Sequence, residues 1–391
     1  MSKPIRTPAH FIFSDRYRNH SYGSQHPLSI PRVSLTHDLI QVFDGFVEGE
    51  VINSKMASDD ELLWFHSPEY IAAMKDVEAT NKVQVNYRAK HNIGNYENPY
   101  FTGFFSTPAT ATGGSIQAAE SLLNGHVAFS PAGGMHHAMP ERANGFCFFN
   151  DPVLAIKRLR QEGLNVLYVD IDAHHGDGVE FAFGDDRSVT TFSTHMASDY
   201  AYPFEGGGLS DVGPLNNAIN LPLPKNLTDT EFNWAFGQAW ENILSNVAFD
   251  VVVLQAGTDS LKPDPLGKFL ISTQQFLKIV QKIKDTVPLK NAVPQLIVLG
   301  GGGYHPLSLA RCWLGVWAIL TNQIFPEAMP EKAKSLLQAV DWDLDEDEDW
   351  FENFFISRLD EQTLSDIRQP VIDVVNMLIA SHPLFKNSNL Y

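Results

Sequence analysis

The chain has 391 residues, is 44% hydrophobic and carries a formal net charge of −18. That length and apolar content suffice for a sizeable core and fit one large α/β domain. The scarcity of Lys and Arg argues against a nucleic-acid binder, which neutralises phosphates with clustered cations; the negative charge is either a solvated surface or a field that draws in a cationic substrate.

From the N-terminus, Met1 to Asp15 is polar and interrupted by prolines, without the apolar core of a signal peptide. A helical pattern over Gly114–Leu123 leads into an apolar run at His126–Ser130 that predicts a buried strand. The next helix is well marked, with Asn150 or Asp151 as cap, Pro152 in the first turn and Gly163 as the stop. Strands follow at Val166–Asp170 and Ser188–Ser193, then a helix over Thr228–Ser245 and a strand at Val251–Gln255. A helix over Thr273–Asp285, a strand at Gln295–Leu299 and a helix over Leu307–Leu320 complete the alternation. Strands alternating with helices predict a mostly parallel central sheet flanked by helices.

After Phe325 the chain turns acidic, most densely from Asp341 to Asp349, and an amphipathic segment follows around Val371–Ile379. Trp350, Phe351, Phe354 and Phe355 need burial, so residues 326–391 are expected to form a helical extension packed on the same domain, whose core spans about residues 10–325. No run approaches the roughly eighteen apolar residues of a membrane span. Cys147 and Cys312 are too few and too scattered for a disulfide framework and point to a reducing compartment, the cytoplasm by default.

In open parallel sheets ligands bind beyond the carboxyl ends of the strands. Four such ends here carry reactive residue types: Gly133-Gly134-Met135-His136-His137, Asp170-Ile171-Asp172-Ala173-His174-His175-Gly176-Asp177, Gly257-Thr258-Asp259, and Gly300-Gly301-Gly302-Gly303-Tyr304. A catalytic zinc takes three protein ligands and keeps one position open, and Asp172, His174 and Asp259 would supply that set. Asp172 and His174 lie two apart, so in an extended strand end both point the same way. The plainer alternative is a run of capped acids on a surface loop. Adjacent histidines such as His136 and His137 are often only exposed loop residues; as acid and base they need orienting carboxylates, for which Asp170 and Asp177 are placed. The glycines before Tyr304 let backbone approach a ligand closely or form a simple turn, and no Lys-Ser or Lys-Thr follows to make them a phosphate loop.

The stretches GGMHHAMPERANGFCFFND, YVDIDAHHGDGVE, QAGTDSLKPDP and LGGGGYHPLSLARCW resemble the histone-deacetylase superfamily, from about His26 to Trp317, and in detail its class I-like bacterial branch that includes the acetoin-utilisation deacetylases. The resemblance implies the arginase/deacetylase-like α/β fold and one Zn2+ per chain on Asp172, His174 and Asp259. It implies catalysis by His136 and His137, partnered by Asp170 and Asp177, with Tyr304 polarising the scissile carbonyl. It implies a K+ site that includes Asp170, Asp172, His174, Ser193 and Thr194, made largely of backbone oxygens. The substrate channel would be lined by Gly145, whose carbonyl faces the substrate amide, and by Phe146. Phe204, or alternatively Tyr202, would form the opposite wall, and Arg32 would stand at the inner end where acetate leaves.

Three departures bear on specificity. Glu97 stands where the family often has Asp at the rim, so the hydrogen bond to substrate backbone is made with a longer arm. Leu266 replaces the acidic gatekeeper of polyamine-specific members, which favours acylated lysine. Met135 precedes the histidine pair and, being flexible, reshapes the inner channel toward other acyl groups. The expected substrate is an acylated lysine or another acylated amine, with neither nucleic acid nor membrane as partner. Rival readings are an acetylpolyamine amidohydrolase with the same machinery, an arginase-type ureohydrolase with two manganese ions, and a non-catalytic reader of acyl-lysine.

Overall fold

A computed structural model of the chain describes residues 5–19, 22–23, 25–325, 328–342 and 361–389. Its strands are β1 (Ala9–Phe13), β2 (Val51–Asn53), β3 (Val127–Ser130), β4 (Val166–Asp170), β5 (Val189–Met196), β6 (Ala218–Leu223), β7 (Val251–Gln255), β8 (Leu289–Lys290), β9 (Val293–Pro294) and β10 (Leu296–Leu299). Eight of them form one sheet in the order β2-β1-β3-β10-β7-β4-β5-β6, and every pairing in it is parallel. The short β8 and β9 pair separately as an antiparallel hairpin.

The helices are α1 (Arg32–Val42), α2 (Asp59–Leu62), α3 (Pro68–Thr80), α4 (Val85–His91), α5 (Ser106–Leu123), α6 (Asp151–Gln161), α7 (Asp177–Phe183), α8 (Asp229–Asn246), α9 (Thr273–Thr286), α10 (Pro306–Thr321), α11 (Glu331–Gln338) and α12 (Gln369–Ser381). They cover both faces of the sheet, which is why its central strands read as unbroken apolar runs. Within β7, Val252 and Leu254 join the core shared with α1, α8, α9 and α10, whereas Val251 and Val253 join the core shared with α5, α6 and α7. Each fully buried aliphatic side chain contributes about 1.5–3 kcal/mol, so dozens of them hold the strands more firmly than any single polar contact holds a loop. The sheet is a rigid base from which the functional loops spring.

Local signals set the helix ends. Asn150 caps α6 by accepting from Val153 N–H, and the helix stops at Gln161 with Gly163 left-handed two residues on. Thr228 and Glu231 form a capping box on α8, and Ser272 caps α9. At the C-terminus, α11 packs on α1, and α12 packs on α8 and β6. Arg368 anchors the start of α12 through Glu231 Oε1 at 2.5 Å. Residues 343–360, which hold most of the acidic run and Trp350, Phe351, Phe354 and Phe355, lie outside the described residues. Among the described residues, no helix is long and apolar enough to cross a membrane.

Candidate active site

Strand register brings the reactive loops to one place. Ser130 pairs with Leu299, Leu299 with Gln255, Gln255 with Asp170 and Asp170 with Ser193, so the carboxyl ends of β3, β10, β7, β4 and β5 form one row. Each of the four loops singled out in the sequence leaves from that row.

Asp172, His174 and Asp259 meet with one ligand atom apiece within 4.8 Å of one another. His174 Nδ1 lies 3.1 Å from Asp172 Oδ1 and 3.0 Å from Asp259 Oδ2. That spacing is close to what donors about 2.0–2.2 Å from one ion require. β4 ends at Asp170, so Asp172 and His174 share a side because of the loop's own turns and not because a strand continues through them. Backbone amides hold the carboxylates: Ala173 N donates to Asp259 Oδ1 at 2.8 Å, and Gly302 N to Asp172 Oδ2 at 2.8 Å. A Cβ at Gly257 would sit 2.0 Å from Asp172 Oδ2, and one at Gly302 would sit 1.9 Å from Asp259 Oδ2. These glycines therefore let backbone press on the protein's own carboxylates, a closer purpose than the approach to a ligand expected from sequence.

The electrostatics of the cluster call for a cation. Burial, with the charge of Asp172 adding to it, pushes the Asp259 carboxyl up to about 7. At His174 burial opposes protonation, but Asp259 and Asp172 overcome it and hold the imidazole well above its ordinary range. Two buried carboxylates at this separation need a positive charge between them. A divalent ion held by the three residues would meet that need and favour the neutral His174 that ligates.

Beside the cluster, His136 and His137 face each other with their Nε2 atoms 3.0 Å apart. His136 Nδ1 meets Asp170 Oδ2 at 2.7 Å, and His137 Nδ1 meets Asp177 Oδ1 at 2.6 Å. Both rings are buried. Burial disfavours charge on each, but the carboxylates of Asp170 and Asp172 raise His136 to about 9, whereas burial and the neighbouring His136 lower His137 to about 4. The two rings are thus set apart: Asp170 favours the protonated form of His136, whereas burial and His136 favour the neutral form of His137. Tyr304 completes the site at 7% exposure. Burial, and then Asp259 and Asp172, raise its hydroxyl well above the ordinary phenol range, so it remains a donor.

An outer cleft lined by Tyr96, Tyr200, Tyr202, Phe204 and Leu266 narrows onto His137, His174 and Tyr304. Beyond them, Leu28, Arg32 and Met135 border both the site and an inner cavity that reaches Asp151. Arg32 Nη1 donates to Gly301 O at 2.5 Å, and its guanidinium lies over Trp313. Gly145 and Phe146 line the cleft, with the Phe146 ring edge-on to Tyr304 at 6.0 Å.

Two placements differ from expectation. Phe204 lines the cleft but is 68% exposed; Tyr202, the alternative, lines the same cleft deeper in, its ring packed against His137 at 4.8 Å. The chain's turn at Tyr202-Pro203 puts successive aromatics at different depths, which sequence order does not show. The Glu97 carboxylate is turned toward the protein, where it accepts from Gly145 N at 2.5 Å and Tyr202 OH at 3.3 Å. Where a K+ site is expected, Thr194 Oγ1 donates to the Asp170 carbonyl at 3.3 Å and Ser193 Oγ meets His195 Nδ1 at 2.8 Å, so both side chains have partners within the protein.

Sequence reasoning assigned no role to three supporting residues. Gln255 is fully buried; its Nε2 donates to Asp172 Oδ2 at 2.8 Å and to Gly134 O at 3.2 Å, and its Oε1 accepts from Gly257 N. Asp264 accepts from the backbone N–H groups of Leu266, Gly267 and Tyr304. Asp151 accepts from Gly134 N, Met135 N and the Ser115 hydroxyl. The signal for Gln255 was its polarity at the end of an apolar strand; Asp151 looked like a helix cap.

Comparison with known proteins agrees with this geometry. Residues 26–320 match the family described as "Histone deacetylase domain". The acetoin utilization protein AcuC of Bacillus subtilis is 31% identical over 315 residues, covering 78% of this chain and 81% of that protein. Histone deacetylase RPD3 of Saccharomyces cerevisiae is 35% identical over 332 residues, covering 83% of this chain and 74% of that protein. A crystal structure of a histone deacetylase homologue from Aquifex aeolicus superposes with a TM-score of 0.88 at 38% identity, covering 95% of this chain and 99% of that one. The chain belongs to the histone deacetylase family.

Proposed function

We propose that this member of the histone deacetylase family is a zinc-dependent deacylase of the bacterial cytoplasm that hydrolyses N-acetyl or other short N-acyl lysine side chains to a free amine and a carboxylate. The observation that carries the reading is the meeting, at the foot of one cleft, of three residues placed to share a metal ion, a histidine pair with each ring on its own carboxylate and a buried tyrosine. Asp172, His174 and Asp259 would hold Zn2+, which when bound supplies a Lewis acid for the carbonyl and for water. Backbone oxygens around Asp170, Ser193 and Thr194 would hold K+.

His137, neutral and oriented by Asp177, takes the proton of the attacking water, and the pair returns a proton to the leaving amine. Asp170 keeps the charge on His136. Tyr304 donates its hydroxyl to the oxyanion, a type of stabilisation whose loss costs roughly 10²–10³ in rate. Gly145 O faces the substrate amide nitrogen, Phe146 and Tyr202 flank the acyl-lysine stem, and Arg32 awaits the carboxylate product.

Leu266 at the mouth gives a polyamine no carboxylate to grip, which favours acyl-lysine over acetylpolyamines. The test is a panel of acyl-lysine peptides and acetylspermidine offered to metal-replete enzyme, with Asp259→Asn and Tyr304→Phe as controls. Turnover of peptides with one zinc per chain, lost in both variants, is expected. A strong preference for acetylspermidine, two manganese ions per chain, or turnover undiminished in Tyr304→Phe would overturn the assignment.

A further inference from the structure

Glu97 sits at the mouth of the cleft with its carboxylate engaged by the protein itself. Oε1 accepts from Gly145 N at 2.5 Å and from Tyr202 OH at 3.3 Å, and Oε2 lies 3.4 Å from Asn92 Nδ2. Asn92 in turn donates to Ala143 O at 3.1 Å. The Glu97 carbonyl lies 3.3 Å from His26 Nε2, and the His26 ring packs edge-on against Phe146 at 4.5 Å.

What Glu97 holds is strained. Gly145 and Phe146 are successive left-handed residues, with φ of +51° and +69°. For a bulky residue such as Phe146 that conformation is an outlier, and it persists only where the surroundings over-determine it. Gly145 N–H heads the turn, and a charge-assisted bond to a carboxylate is the strongest fixture available to a backbone amide. The turn places Gly145 and Phe146 on the lining of the cleft. Tyr202, on the same lining, packs its ring on His137 and sends its hydroxyl to the same Glu97 oxygen. One carboxylate therefore ties together two parts of the cleft wall and, through Tyr202, touches the placement of His137.

We propose that Glu97 is a positioning residue that fixes the cleft wall through Gly145 N–H and Tyr202 OH, and that it serves hydrolysis in this way whether or not a peptide backbone lies beside the amide. The inference rests on the deacylase reading above. It carries a consequence for substrate class: acylated amines with no peptide backbone beside the amide depend on Glu97 as much as peptides do.

Three variants separate a wall clamp from a substrate anchor. Glu97→Gln keeps the reach and an oxygen for Gly145 N–H. Glu97→Asp keeps the charge but is one methylene too short to reach it. Glu97→Ala loses both. Measured on an acetyl-lysine peptide and on N-acetylbutylamine, the clamp predicts that Asp and Ala lower kcat by about tenfold or more, the scale of one lost charge-assisted bond. The factor is the same on both substrates, and Gln falls least. Amide exchange over residues 143–149, followed by mass spectrometry, is expected to speed up in Asp and Ala and to stay near wild type in Gln, at matched Tm. Exchange needs no turnover, so it decides the clamp even where the wild type hydrolyses neither compound, a result that would count against the deacylase reading alone. Wild-type exchange in Glu97→Ala, or a loss confined to KM on the peptide with Glu97→Asp fully active, overturns the proposal.

Discussion

Asp264→Asn tests how the fold places Tyr304. The Asp264 carboxylate is 6% exposed and accepts three backbone N–H groups, from Leu266 at 2.9 Å and Gly267 at 3.0 Å on one oxygen and from Tyr304 at 2.7 Å on the other. An asparagine amide has one oxygen. Turned toward Leu266 and Gly267, it sets its NH2 against Tyr304 N–H; turned the other way, it opposes two donors. The better orientation still leaves one buried donor unpaired, at about 1–3 kcal/mol, which lowers Tm by a few degrees. Freed at its backbone, Tyr304 shifts, and a misplacement of about 1 Å is enough to cost about 10²-fold in rate. The expected kinetics are a fall in kcat of that size with KM little changed, read by steady-state hydrolysis beside a thermal melt. If Asp264 works through Tyr304, the double variant with Tyr304→Phe is no slower than Tyr304→Phe alone, because the hydroxyl is already gone. Additive losses in that cycle, or a wild-type kcat in Asp264→Asn, would refute the reasoning.

Gln255→Leu removes the donor to Asp172 and the acceptor of Gly257 N–H, and is expected to weaken metal binding by about 10–100-fold, measured by competition with a chromogenic chelator. Readdition of Zn2+ to chelated protein is expected to raise Tm, approaching the increment of about 2.7 kcal/mol that a ligand gives at a hundred times its Kd; an unchanged Tm would count against the Asp172, His174 and Asp259 site. For pH, Asp151 is the informative group: burial raises its carboxyl to about 6, against the hydrogen bonds from Ser115, Met135 and Gly134. A carboxyl raised in the folded state contributes stability that is present below its unfolded value near 4 and lost as pH rises through 6. Asp151→Asn is therefore expected to lose less stability than wild type between pH 4 and 7, by an amount on the order of 3 kcal/mol, and parallel urea midpoints across that window would contradict it.

The fold was most legible where burial is complete on both faces. Val166–Asp170 and Val251–Gln255 were read from sequence with the bounds they have in the structure, because unbroken Val and Leu runs have few other uses. The strands β1, β2 and β6 were missed. β2 has Val51 and Asn53 exposed at the sheet edge, and β6 at the opposite edge contains Pro222, so neither shows a clean apolar run. A proline is tolerated there because an edge strand has an unpaired side. The expected start of the helix before β3 fell short by eight residues, since Ser106 to Gly113 carries Pro108, Gly113 and the threonines Thr107, Thr110 and Thr112, types of low helix propensity. Gly113 shows the reason: a Cβ there would lie 1.9 Å from the Lys55 carbonyl.

The site divides along the same line. Residues that do chemistry stand out in sequence because carboxylates and imidazoles are costly to bury in numbers, so their clustering after apolar strands demands a purpose. Residues that act through others carry no such mark. Gln255 and Asp264 are ordinary side chains at ordinary spacings, and only distances reveal that one ends on the Asp172 carboxylate and the other on the Tyr304 backbone amide. The same distances explain why the cluster is ordered at all. With Asp259 pushed up to about 7 by burial and by Asp172, the carboxylates repel unless a positive charge lies between them. Backbone amides from Ala173, His174 and Gly302 offset part of that cost by donating to the same oxygens. A cation on Asp172, His174 and Asp259 would offset the remainder, and its binding would then add to the stability of the fold.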